Sequence, residues 1–216
     1  MDPIKLDIMS DPICPWCYIG KTLLERALEQ EGDHPFLIEW HPFQLNPDMP
    51  KGGMDRAEYL ETKFGGQENA VRVYSQIVEH AEAAKIKLDV GAIKRTPNTL
   101  DAHRVINWAK VEGKQNAIVD ALFQAYFIDG RDIGDHEVLG DLADSVGMDA
   151  AVVLRLLKSD ADVEEIKQRD ATAREMGVNS VPTFIVGGRH AVPGAQQPEL
   201  WRKVIAELRE QQSSNA

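Results

Sequence analysis

Cys14 and Cys17 are the only cysteines among 216 residues, and they lie three positions apart in Asp11-Pro12-Ile13-Cys14-Pro15-Trp16-Cys17. Two thiols at that spacing on the first turn of a helix come within bonding reach of each other. A helix N-terminus adds positive potential and unpaired N–H groups, which stabilise a thiolate. The pattern therefore points to thiol–disulfide exchange. Cys14 is read as the exposed nucleophile and Cys17, one turn deeper, as the thiol that resolves a mixed disulfide. A zinc site needs four ligands. No second cysteine pair exists and the six histidines are scattered, so no metal is expected.

The elements that must position this pair are legible on either side of it. Ile4, Leu6 and Ile8 alternate with Lys5 and Asp7, a period-two pattern that predicts a strand. Proline suits the first turn of a helix, so Pro15 sets Cys14 at the N-cap of a helix running to about Gln30. Phe36 to Phe43, rich in aromatic and β-branched residues, reads as a second strand. Near the other end, Thr183-Phe184-Ile185-Val186, Gly187-Gly188 and Arg189-His190-Ala191-Val192 read as a hairpin with a glycine turn. Leu200, Trp201, Val204, Ile205 and Leu208 form a closing amphipathic helix, with Gln211 to Ala216 expected to fray.

Between these halves the strand signal largely vanishes. Helical stripes run through Ala70, Val73, Tyr74, Ile77, Val78 and Ala81, then through Ile118, Ala121, Leu122 and Ala125, then through Leu139, Leu142, Ala143 and Val146. A further helix spans about 162 to 176, with Ser159 or Asp160 as its cap and Gly177 as its stop. The order implies an α/β fold in which residues 1–45 and 165–216 form one sheet-containing domain. Residues 46–164 form an inserted all-helical domain. Trp40, Trp108 and Trp201 are read as core or boundary packing.

Composition narrows the partners. Lys and Arg number 24 against 35 Asp and Glu, a formal charge of −11. That field opposes phosphate backbones and anionic lipid, so neither nucleic acid nor membrane is expected. No stretch approaches the roughly 20 apolar residues of a membrane helix. The N-terminus lacks a basic segment followed by an apolar run, so the expected location is the cytosol. A reducing compartment favours a working thiol pair over a structural disulfide.

The second signal is Val178-Asn179-Ser180-Val181-Pro182-Thr183-Phe184, a proline opening a strand after a helix stop. Together, Cys14-Pro15-Trp16-Cys17 and Val181-Pro182-Thr183-Phe184 resemble the thioredoxin superfamily, and the long helical insertion resembles its DsbA-like branch. Within that branch, the stretch from Asp11 to Gly20, Pro97-Asn98-Thr99-Leu100-Asp101-Ala102-His103-Arg104 and Pro193-Gly194-Ala195-Gln196 are similar to cytosolic FrnE-type proteins. The resemblance implies a thioredoxin fold, a cis-Pro182 facing the sulfurs, and dithiol–disulfide chemistry. It assigns Cys14, Cys17 and Pro182 to catalysis. Substrate contact would fall to Pro15, Trp16, Val181, Asn98 and His103.

Two of those positions carry an open alternative. His103 sits at the edge of the face formed by Ala102, Val105, Ile106 and Ala109, where a boundary histidine bonded within the insertion is an equal reading. Asn98 shares that ambiguity. His41, Asp7 and Asp11 are near enough in sequence to tune the thiols. Trp16 stands where periplasmic DsbA-type oxidants typically carry His, which implies a weaker oxidant. The expected partners are protein or low-molecular-weight thiols and disulfides, with glutathione as a co-substrate and no bound cofactor. The rivals are a glutathione-dependent isomerase or transferase acting on a small organic molecule, and a non-catalytic chaperone-like binding module.

Overall fold

The computed structural model describes residues 3–214. Alternation of Leu6 and Ile8 with Lys5 and Asp7 buries one face of β1 (Ile4–Ser10) from Leu6 onward. Helix α1 (Pro15–Glu31) follows, then β2 (Phe36–Pro42). The chain returns to the sheet only with β5 (Thr183–Val186) and β6 (His190–Pro193), and closes with α9 (Pro198–Ser214). The strand order is β2-β1-β5-β6, with β1 and β2 parallel and the other two pairings antiparallel. Gly187 and Gly188 both take positive φ, 58° and 69°, in the three-residue connection from Val186 to His190, where the Arg189 N–H donates to the Val186 carbonyl at 3.2 Å. Helix α9 continues through Ser214, so Gln211–Ser214 is helical where fraying was expected; residues 215–216 lie outside the described residues.

The intervening chain holds α2 (Arg56–Phe64), α3 (Gln67–Ala83), α4 (Leu100–Val111), α5 (Gln115–Phe127), α6 (His136–Ser145), α7 (Ala150–Leu157) and α8 (Val163–Glu175). It is not wholly helical. Two-residue strands β3 (Met54–Asp55) and β4 (Arg95–Thr96) pair with each other and leave the main sheet unextended. The start of α8 also departs from the reading. Its N-cap is Asp162, at φ 60°, without a side-chain cap bond. Asp162 instead accepts the Trp108 indole N–H at 2.6 Å, which spends the carboxylate elsewhere. The boundary read at 164/165 thus falls inside the first turn of α8.

Burial is continuous across the two parts. Leu6, Ile8 and Phe184 of the sheet share one apolar cluster with Val105, Ile118, Leu122, Phe123 and Leu139 of the inserted helices. Trp40 and Trp201 belong to it, and Trp201 meets Phe184 edge-on with centroids 4.8 Å apart. Trp108 is only partly buried against it, under the Arg104 guanidinium. A second cluster joins Ile19 and Leu23 of α1 to Ile77 and Ala81 of α3 and to Ile86 beyond it. Helix α1 is therefore gripped by the sheet core on one side and by α3 on the other. No helix among the described residues is long and apolar enough to cross a membrane.

Candidate active site

Cys14 occupies the N-cap of α1 in extended conformation, with Pro15 supplying the pre-set first turn. The turn before it is closed by the Cys14 N–H donating to the Asp11 carbonyl at 2.9 Å. Cys17 and Tyr18 donate back to the Cys14 carbonyl at 3.0 and 3.2 Å. Both cysteines are free, and they lie 3.4 Å apart. Burial, reinforced by the neighbouring Cys14, pushes the Cys17 thiol well above its usual range, while Ser10 pulls in the opposite direction.

Exposure of the first cysteine is the expectation the structure corrects. Cys14 is 3% accessible and Cys17 1%. The physical reason lies 167 residues away: the Cys14 thiol donates to the Val181 carbonyl at 3.5 Å, so the 181–182 segment sits over the start of α1. The Val181–Pro182 peptide is cis. The Pro182 carbonyl accepts the Gly194 N–H at 2.8 Å, which ties this segment to the end of β6. Gly20 allows the approach from below. A Cβ there would meet Pro182 Cγ at 3.0 Å and Ala195 Cα at 3.3 Å.

Asp11 anchors the loop that carries the cysteines. It is fully buried and accepts the Leu45 N–H at 2.7 Å and, at 3.4 Å, the Ile13 N–H. Desolvation raises its carboxyl to about 7 against those two hydrogen bonds. The Leu45 loop is held in turn by Asp170 of α8, which accepts the Gln44 N–H at 2.7 Å, and by Arg174 over the Phe43 ring. Asp7 and His41, the other suggested tuners, are taken up with each other at 2.6 Å on the β1–β2 face, beside Glu39 and the cations Lys5, Lys110 and Arg169.

His103 is a core histidine, not a boundary one. It is 3% exposed, with Nε2 buried, lacking a hydrogen-bond partner and 3.7 Å from Asp11 Oδ1. Desolvation pushes it down to about 3, so the ring is neutral. It lies behind the cysteine loop, sharing a small void with Ser10 and Pro12. Asn98 is spent on structure. Its amide donates to the Met49 carbonyl at 2.6 Å and its oxygen accepts the Leu100 N–H at 2.9 Å. It lines a hollow with Lys51, Asp101 and Arg104 whose walls include neither cysteine. Trp16 leans on α3, its ring edge-on to His80 at 5.1 Å.

Sequence reasoning did not single out the 44–45 loop, Asp170 or Arg174. No local pattern marks them, because their roles come from long-range hydrogen bonds to Asp11 and Gln44.

A parallel β1–β2 pair, an antiparallel β5–β6 hairpin, and a Cys-Pro-Trp-Cys helix start facing a cis-proline segment define a thioredoxin fold with a long helical insertion. The chain belongs to the family of the DSBA-like thioredoxin domain, whose model matches residues 5–206. The uncharacterized protein YwbO of Bacillus subtilis (strain 168) is 28% identical over 206 residues, covering 94% of this chain and 96% of that one. A probable DsbA oxidoreductase of Streptomyces coelicolor superposes with a TM-score of 0.82 at 28% identity, over 94% of this chain and 89% of its own. The cytosolic disulfide reductase DsbM of Pseudomonas aeruginosa, solved with GSH, shares the fold with a TM-score of 0.67 at 20% identity, over 95% and 99% of the two chains.

Proposed function

We propose that this protein is a thiol–disulfide oxidoreductase in which Cys14 attacks and Cys17 resolves. In the reducing direction the Cys14 thiolate attacks one sulfur of a substrate disulfide. That S–S bond breaks, and the departing thiolate takes up a proton. Cys17 then gives up its proton and attacks Cys14 sulfur, releasing the second substrate thiol and leaving a Cys14–Cys17 disulfide. Two electrons and two protons pass to the substrate, and the reverse sequence oxidises a dithiol. The observation that carries the reading is the pair of free sulfurs 3.4 Å apart at a helix start. The Val181 backbone beside Pro182 would dock an extended substrate segment as a short β-bridge.

Deep burial of Cys14 favours a slim thiol partner over a bulky folded one, and a cytosolic location agrees with that. Glutathione is the low-molecular-weight partner of choice. The DsbM structure, which shares this fold, was solved with GSH. Pro15 and Trp16 would flank the bound thiol. His103 packs behind the cysteine loop and Asn98 fastens the 46–49 loop, so both act at a distance. Turnover of a model disulfide tests the proposal. Cys14→Ser should abolish it, and Cys17→Ser should halt at a mixed disulfide; full activity of a double variant would refute it.

A further inference from the structure

Burial of a cation normally brings a carboxylate with it. Lys21 is 2% exposed and is held by Glu25 and Asp120; Arg104, 1% exposed, pairs with Asp101 at 2.7 Å and fills its remaining donors with backbone carbonyls. Arg56 is the exception. It is 9% exposed, and no ion pair among the described residues includes it. Its guanidinium donates only to neutral oxygens, Thr96 Oγ1 at 3.0 Å and the Tyr74 hydroxyl, and Nε is buried without a partner. The Tyr74 and Tyr59 rings lie 5.1 and 5.5 Å from its centre. Burial raises the Tyr59 phenol, so that ring adds no negative charge.

Arg56 lines a cavity of about 310 Å³ between α2 and α3. Its other walls are chiefly apolar, from Leu60, Ala70, Val71, Tyr74 and Val90, with Glu61 also lining it. The size suits a small molecule. Glu61 is exposed and makes no ion pair with Arg56, so the buried guanidinium stays free for a small molecule with an apolar body and one negative charge. A planar guanidinium favours a carboxylate, which it can take bidentately.

We propose that the α2–α3 cavity binds a small organic carboxylate and that Arg56 supplies its counter-charge. The site contains neither cysteine nor Pro182 and stands independently of the redox reading. Binding is therefore expected to be the same in a Cys14→Ser/Cys17→Ser protein.

Benzoate, benzamide and acetate are the probes, titrated into the full chain while the Arg56 Nε–H resonance and the heat of binding are followed. Benzoate should bind saturably and shift that resonance. Benzamide, without the charge, and acetate, without the apolar body, should each bind at least about tenfold more weakly. Arg56→Met should abolish benzoate binding. Val71 is 58% exposed on the cavity wall, so Val71→Glu preserves the fold and sets a carboxylate against the ligand; it should weaken benzoate by a similar factor. Equal affinity for benzoate and benzamide, no saturable benzoate binding, or a Val71→Glu protein that binds like the parent would each overturn the proposal.

Discussion

The Cys14 thiol donates to the Val181 carbonyl at 3.5 Å, joining the first turn of α1 to a segment 167 residues further along the chain. Each end of that contact is held independently. Asp11 fixes the cysteine loop, and Gly194 fixes Pro182. Because both sulfurs are buried, reactivity should be governed by access as well as by thiolate character.

Limiting iodoacetamide on the reduced protein should therefore alkylate Cys14 first, yet more slowly than an unfolded cysteine. Cys17, deeper and pushed up by burial, should label only after Cys14 or on unfolding. Peptide mapping after brief labelling reads the order. Preferential modification of Cys17 would reverse the two roles.

Cys17→Ser cannot resolve, so oxidised glutathione should leave it carrying one glutathione on Cys14. Intact mass reports this directly. A Cys17→Ser protein that stays unmodified while still reducing protein disulfides stoichiometrically would remove glutathione as a partner and leave a protein substrate.

Asp11 and His103 should impose opposite pH slopes on stability. A carboxyl raised to about 7 favours the folded state at low pH, and that contribution is lost as pH rises from its ordinary value near 3.9 through about 7. A histidine lowered to about 3 favours the folded state above its ordinary value near 6.5, and that contribution is lost as pH falls through about 3. The windows overlap and offset each other between about pH 4 and 6.5. Urea titrations across that range read the two contributions as departures from the parent profile. His103→Gln should fall in stability with rising pH, and Asp11→Asn should rise, each on the order of a few kcal/mol. Parallel profiles in all three proteins would contradict the burial of these groups.

Gly20→Val should destabilise by about 1–3 kcal/mol, since its side chain meets Pro182 Cγ and the Ala195 backbone. The same substitution should alter Cys14 alkylation by displacing the 181–182 segment. Denaturation midpoint and labelling rate, measured together, check this; a stable variant with unchanged labelling would show that the contact is slack.

The sequence made the frame of the site legible wherever the signal was local. Alternation at Ile4, Leu6 and Ile8 marked β1, Pro15 marked the start of α1, and Gly187-Gly188 marked the hairpin. What stayed hidden depends on contacts between distant segments. Nothing near Cys14 announces that Val181 covers it, and nothing near Asp162 says that its carboxylate serves Trp108 instead of capping α8. His103 looked like a boundary residue because the helical wheel shows only α4; the cysteine loop packed against it supplies the burial. Arg56 passed unnoticed for the same reason, since its lack of a counter-charge is visible only once every neighbour is in place.

The central claim is that Cys14 and Cys17 interconvert between dithiol and disulfide, and redox titration in glutathione buffers followed by intact mass tests it most directly. The expected result is one two-electron transition with loss of two hydrogens. Its potential should be more negative than the roughly −120 mV of a strong DsbA-type oxidant, because Trp16 stands where a histidine would favour the thiolate. Two free thiols persisting at every glutathione ratio, with no internal disulfide formed, would contradict it.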